Sequence, residues 1–156
     1  MKELRIFRAK PNPAGKDRHG SYTPPRQLAA EWIDIQNIGD EPYTLTGISL
    51  QHIAYQPGCR EPKWDFLKAL SGTLYSGQVL RMHSGGFLST ADMNPEDVTG
   101  ADKHEFTGRG YAWNNDCGDR AGLWNGTIWI DRANYDSYPP EGLILVREGD
   151  KLVPKY

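Results

Sequence analysis

The stretch "EWIDIQNIGDEPYTLTGISL", residues 31–50, predicts the fold class of this chain. In its first part, Ile33 and Ile35 share one side of an extended chain, and Trp32 and Asp34 share the other. This two-residue period predicts a β-strand whose isoleucines face the core. A polar turn follows at "IGDEP", and "YTLTGISLQHIAY" is a second β-rich run, in which a glycine marks a bend or bulge.

The rest of the 156-residue chain repeats this pattern of short apolar runs between turns that contain glycine and proline. The run "EPKWDFLKALSG", residues 61–72, fits a helix face about as well as a strand, so its assignment stays open. About eight strands are predicted, with little helix. No internal repeat or linker divides the chain, which predicts one domain over residues 1–156. This is the pattern of an all-β sandwich or barrel.

Residues 84–110 interrupt the strand pattern with Gly, Ser, Thr, Asp and Pro. We expect a long inserted loop here, and loops of this length are typically functional or mobile. Within it, "NPEDVTG" predicts one helical turn. Asn94 is placed as the N-cap, Pro95 at the first helical position and Gly100 as the stop.

The net charge of −2 is unevenly distributed along the chain. Residues 1–30 contain seven Lys or Arg against two acids, a net charge of +5. Arg5 and Arg8 on the first predicted strand, "ELRIFRA", are therefore candidates for binding nucleic acid. The alternative, which we favour, is that these cations line an edge strand and discourage aggregation. No apolar run approaches the ~20 residues of a membrane span.

Three blocks of the sequence resemble signatures of the lamin tail domain. "EWIDIQNIGDEPYTLTGISL" resembles the first, in which an acidic-aromatic-aliphatic strand ends in Asn and a turn precedes a Leu-x-Gly strand. "LYSGQVLRMHSG" resembles the second, and "YAWNNDCGDRAGLWN" with "GTIWIDRANY" resembles the third. The blocks occur in the family's order and cover roughly residues 4–136, apart from the insertion.

The resemblance implies an immunoglobulin-like β-sandwich without catalytic residues. Members of the family occur at the tails of nuclear lamins and, in bacteria, as accessory domains beside secreted or membrane-linked hydrolases and nucleases. The bacterial type is the better match, because this chain has no coiled-coil heptads and ends in "VPKY" rather than a CaaX-like motif. The implied partners are other proteins, cell-surface material or nucleic acid.

The cluster "NNDCGD", residues 114–119, combines acids, amides and a thiol. Asp116 and Asp119 are candidate metal ligands, although their spacing is poor for an EF-hand. A tight turn between strands is the preferred interpretation, because Asn, Asp and Gly favour left-handed backbone conformations. Cys117 would pair with Cys59 only if their loops meet in an oxidising compartment, and we favour free thiols.

Aromatic residues are the remaining candidates for function. Trp and Tyr on an exposed β face provide a platform for protein, sugar or base stacking, and strand alternation prevents all of them from being core. A weaker candidate is a metal site built from His83, His104 and an acid. The candidate binding residues are Trp32, Tyr55, Trp113, Trp124, Trp129, Arg5 and Arg8.

Together these patterns predict a non-catalytic interaction module that binds another macromolecule through its sandwich surface and its long loop. One alternative is a nucleic-acid-binding accessory domain that uses the basic N-terminal strand. Another is a calcium-stabilised or metal-dependent enzyme domain. No cofactor is expected. No secretory signal is visible, so the default location is the cytoplasm, and secretion is the alternative if a leader precedes the chain.

Overall fold

Twelve strands and two very short helices make up the computed structural model, which describes residues 1–156. Helix accounts for 8% and strand for 43% of the chain. The helices are α1 (Pro25–Ala29) and α2 (Pro95–Val98), with a 3-10 turn at Thr90–Asp92. The strands are β1 (Leu4–Lys10), β2 (Trp32–Asn37), β3 (Tyr43–Thr44), β4 (Ser49–Gln56), β5 (Arg60–Ala69), β6 (Thr73–Leu74), β7 (Val79–His83), β8 (Lys103–Phe106), β9 (Asp119–Trp124), β10 (Trp129–Tyr135), β11 (Leu145–Glu148) and β12 (Lys151–Pro154).

Ten strands form one sheet in the order β5-β4-β9-β10-β12-β11-β1-β2-β7-β8, and β3 pairs with β6 in a small second sheet. The large sheet curls back on itself. The backbone N–H of Ile6 on β1 donates to the carboxylate of Asp131 on β10, at 2.8 Å, although two strands separate β1 from β10 in the sheet. The predicted all-β, immunoglobulin-like sandwich is therefore confirmed as the fold class, with more strands than the eight expected.

The two halves of the curled sheet enclose one apolar core of 20 buried residues. Ile33 and Ile35 on β2 contribute to it, as their alternation predicts, and Leu123 on β9 contributes from the other half. The ambiguous run at residues 61–72 is mainly strand, since β5 pairs with β4 through seven register positions. Pairing across the hairpin therefore decides an assignment that local periodicity leaves open.

The second side of β2 is buried as well. Trp32 and Asp34 are both completely buried. Residues 84–110 cover this side, because the Trp32 indole N–H donates to Asp97 of α2 at 2.8 Å. The predicted long insertion contains more regular structure than the single helical turn expected. The expected helical turn forms as α2, although the Asn94 side chain makes no cap hydrogen bond, and the segment also contains β8, which pairs in parallel with β7.

The basic first strand lies in the middle of the sheet, with β11 on one side and β2 on the other. The prediction of an edge strand is wrong, because the chain's last hairpin, β11–β12, supplies a neighbour for β1. None of the helices is both long and apolar enough to span a membrane.

Candidate functional site: a tryptophan face

Three tryptophans from three strands meet on one side of the sheet. Trp124 on β9 lies opposite Trp129 on β10, with ring centroids 4.9 Å apart. Trp64 on β5 reaches across β4 and β9, and its ring lies 4.3 Å from that of Trp129. All three side chains are half-buried, so they remain accessible in part.

Gly122 on β9 provides the space for this cluster. A Cβ atom at this position would lie 2.5 Å from a ring atom of Trp129 and 3.1 Å from one of Trp64. Any larger residue would displace at least one indole ring. The backbone of β9 therefore forms the floor on which the indoles of two non-adjacent strands come together.

Two arginines lie beside the tryptophans. Arg132 on β10 is opposite Gly122, and Arg120 is two residues before Gly122 on β9, so both share the side of the sheet that carries the indoles. The guanidinium carbon of Arg132 is 5.7 Å from the centroid of the Trp129 ring. Both side chains are exposed, and neither guanidinium makes a hydrogen bond or ion pair within the chain.

An open groove of about 530 Å³ runs along β10 beside these arginines. Two acidic residues line the groove, Asp131 and Asp150. Asp131, on β10, is already paired with Arg147 through two hydrogen bonds of 2.8 and 2.9 Å. The free charges that face the groove are therefore those of Arg120, Arg132 and the exposed Asp150. We call the three tryptophans with Arg120 and Arg132 the tryptophan face. It combines flat apolar rings with a local excess of positive charge.

No protein-family model matches the chain, and no curated protein is similar to it. The resemblance to lamin tail domains stays a prediction.

The aromatic residues singled out in the sequence are divided between core and surface. Trp32 and Trp113 are buried, Tyr55 is half-buried, and only Trp124 and Trp129 belong to the tryptophan face. Trp64, Arg120 and Arg132 are not among the residues that the sequence patterns indicate. A strand assignment for residues 61–72 would have made Trp64 a candidate for an exposed β face, but only the strand order places it beside Trp129. The sequence contains no signal for the two arginines.

The basic residues of β1 are engaged in the structure. Arg8 donates to Asp34 at 3.0 Å and to the carbonyl of Gly100 at 2.9 Å. Arg5 donates to the carbonyl of Gly149 at 3.4 Å. The charge of Arg8 therefore compensates a buried carboxylate, and this contact gives the residue a structural role.

The candidate metal ligands are arranged as a turn. Asp119 is buried, and its carboxylate accepts hydrogen bonds from the backbone N–H groups of Ile53, Asn114 and Arg120, at 2.7–3.0 Å. It also contacts the His52 ring at 3.1 Å. These donors leave Asp119 little capacity for a metal, and no group of three His, Cys, Asp or Glu side chains, with or without Asp116, is placed to hold one.

The two cysteines form a disulfide, with their Cα atoms 5.5 Å apart. The expectation of free thiols is wrong, because the hairpin turn between β4 and β5 lies against the turn that precedes β9. Both turns are connected to the paired strands β4 and β9, so strand pairing brings the cysteines together.

The candidate histidine pair is hydrogen-bonded. His83 Nδ1 donates to the Ala29 carbonyl at 2.6 Å, so its Nε2 accepts from His104 Nδ1 at 2.8 Å. Burial lowers the pKa of His83 to about 4 and also lowers the pKa of His104. Both rings are therefore neutral at pH 7. The two nitrogens that face each other share a hydrogen bond, so neither is free to bind a metal.

Glu31, immediately before β2, is a buried acid that the sequence patterns do not indicate. Its Oε1 accepts from the Ser84 hydroxyl, from the Ala112 N–H at 2.9 Å and from the Trp113 N–H at 3.5 Å. Burial nevertheless raises its pKa to about 7 from an ordinary value of 4.5. The acid is therefore partly protonated near neutral pH.

The raised pKa of Glu31 predicts how the stability of the variant Glu31→Gln depends on pH. The folded state holds the Glu31 proton more tightly than the unfolded state. Loss of this proton therefore lowers the free energy of unfolding of the wild type as pH rises from about 4.5 to about 7. Glutamine has nearly the same shape and does not ionise. The free energy of unfolding of the variant, relative to the wild type, should rise by about 3 kcal/mol between pH 4 and pH 8 in urea titrations.

The wild type and Glu31→Gln must be compared, because His83 also changes the stability of the wild type with pH. Its lowered pKa makes stability rise between about pH 4 and 6.5, which opposes the effect of Glu31 in the same range. The histidine contribution is common to both proteins and cancels in their difference. A difference that does not vary with pH would contradict the prediction.

Proposed function

We propose that the protein is a non-catalytic interaction module, as the resemblance to lamin tail domains implies, and that it binds another macromolecule through the tryptophan face. The single observation that supports this proposal is the cluster of three half-buried indoles beside two arginines without partners. Trp and Arg are among the residue types that contribute most binding energy at interfaces.

The chemistry of the face favours a partner with anionic groups next to flat or apolar surfaces. The indole rings offer stacking area, and the arginines offer charge-assisted hydrogen bonds. Acidic cell-surface polysaccharide, single-stranded nucleic acid and an acidic protein segment all have this combination. The long insertion covers the second side of β2, and its expected part in binding stays a prediction.

Variants of the face provide the test of this proposal. Binding of fluorescent heparin, a single-stranded oligonucleotide and an acidic peptide should be measured for the full chain by anisotropy. We expect at least one probe to bind, and Trp64→Ala combined with Trp129→Ala to weaken it about tenfold or more. Arg120→Gln combined with Arg132→Gln should weaken binding and flatten its salt dependence.

Matched controls lie away from the face. Phe87→Ala removes an aromatic side chain that is 84% exposed, and Lys155→Gln removes an exposed cation near the C-terminus. Neither should change affinity. No binding of any probe at low salt, or equal losses in the face and control variants, would rule out the proposal.

The disulfide between Cys59 and Cys117 indicates the kind of compartment in which the protein works. Disulfides persist in oxidising environments and are rare in the cytosol. We propose that the protein works in an oxidising compartment or outside the cell, which replaces the default expectation of a cytoplasmic location. This placement fits cell-surface material as a partner better than an intracellular one.

A further inference from the structure

A second cavity, separate from the tryptophan face, lies where the segment after β1 meets the turn before β9. Its volume is about 380 Å³. Pro11 and Pro13 line it from one segment, and Tyr111 and Trp113 line it from the other. The Tyr111 hydroxyl donates to the carbonyl of Asp17 at 2.9 Å and links the two segments. The cavity therefore has apolar and aromatic walls from two parts of the chain.

The lining also contains a carboxyl group with one unused oxygen. Glu31 is only 2% exposed, and all three of its hydrogen bonds go to Oε1. Oε2 accepts no hydrogen bond, yet it is not one of the completely buried atoms without a partner. This oxygen therefore keeps access to the cavity that Glu31 lines.

A second acceptor without a donor lies in the same lining. Asn115 lines the cavity, and its Oδ1 is fully buried without a hydrogen-bond partner. A buried polar atom that lacks a partner is unfavourable, so a donor group that reached it would gain affinity. The cavity thus presents one carboxylate oxygen, and a second unpaired acceptor, the Asn115 amide oxygen, is buried in its lining.

We propose that this cavity binds the primary ammonium group of an amine, such as a lysine side chain or a small alkylamine. An ammonium has three N–H donors and no acceptor, which matches a lining whose unpaired groups are acceptors. Its charge compensates Glu31, and aromatic rings such as those of Tyr111 and Trp113 in the lining attract cations. Of the other charged residues that line the cavity, Asp17 and Arg18 offset each other.

The test uses the full chain and n-propylammonium chloride as the probe. Two-dimensional ¹H–¹⁵N spectra should show saturable shifts for the amides of Ala112 and Trp113, which donate to Glu31, with a Kd on the order of millimolar. The variant Glu31→Gln should weaken binding about tenfold or more. Arg18→Gln, which removes a like charge from the lining, should strengthen it.

A carboxyl titration of the wild type provides a measurement independent of any variant. Saturating propylammonium should move the ¹³C titration of the Glu31 carboxyl below its midpoint near pH 7, since the cation stabilises the carboxylate. Asp17, Arg18 and Tyr111 are the other charged or ionisable residues in the lining. Trp124→Ala, on the tryptophan face, should leave propylammonium binding unchanged.

Three results would overturn the proposal. The first is the absence of saturable shifts with propylammonium. The second is equal binding by Glu31→Gln, provided that its spectrum shows the native fold. The third is equal binding of 1-propanol, which would show that the cavity selects a hydroxyl or an alkyl chain rather than a charge.

Discussion

Replacing Arg81 with methionine should lower the free energy of unfolding by about 3–5 kcal/mol. Arg81 is 1% exposed, and its guanidinium donates to both carboxylate oxygens of Asp34, at 2.7 and 2.9 Å. It also donates to the carbonyls of Asp97 and Thr99 and lies 3.7 Å from the centroid of the Trp32 ring. Methionine fills part of the volume but leaves a buried carboxylate with Arg8 as its only cation.

The measurement is urea unfolding at pH 7, with Arg132→Met as the matched control, because Arg132 is exposed and unpaired. The control should stay within about 0.5 kcal/mol of the wild type. The double variant Arg81→Met with Asp34→Leu should recover much of the loss, since an apolar pair replaces a charged one. A cost below about 1 kcal/mol for Arg81→Met, or a double variant less stable than the single one, would contradict this account.

The Arg81 network explains how far sequence patterns predict this fold. Alternation in residues 31–37 correctly places Ile33 and Ile35 in the core, because burial of one face of a strand requires only local periodicity. It cannot show that the opposite face is buried too. That burial depends on Asp97 and Thr99, more than 60 residues later, whose contacts with Trp32 and Arg81 form only after the insertion folds back.

The tryptophan face, too, can be predicted from the sequence only in part. Strand alternation indicates that some aromatic residues are exposed, but the identity of those residues depends on the register of β5, β4, β9 and β10. Trp64 joins the tryptophan face because its strand lies two places from β9. Trp113 lies outside the strands and belongs to the apolar core, where its ring centroid is 5.8 Å from that of His52.

Removing the disulfide should cost about 4 kcal/mol of unfolding free energy, because the bond closes a loop of 58 residues in the unfolded chain. Cys59 is exposed and Cys117 half-buried, so dithiothreitol can reach the bond. We expect the double variant Cys59→Ser with Cys117→Ser to unfold at a much lower urea concentration than the oxidised wild type. The reduced wild type should unfold close to the variant, because both lack the same cross-link.

Thiol titration of the denatured wild type decides whether the cross-link is present, and we expect no free thiols before reduction. The double variant is the control for side effects of the reductant, since dithiothreitol has no bond to break in it and should not shift its urea midpoint. The cost arises from the unfolded state, so the native spectrum of the reduced protein should change mainly near the turns at residues 57–60 and 114–118. Two free thiols in protein refolded in air, with the same midpoint with and without reductant, would contradict the prediction and restore the expectation of unpaired cysteines.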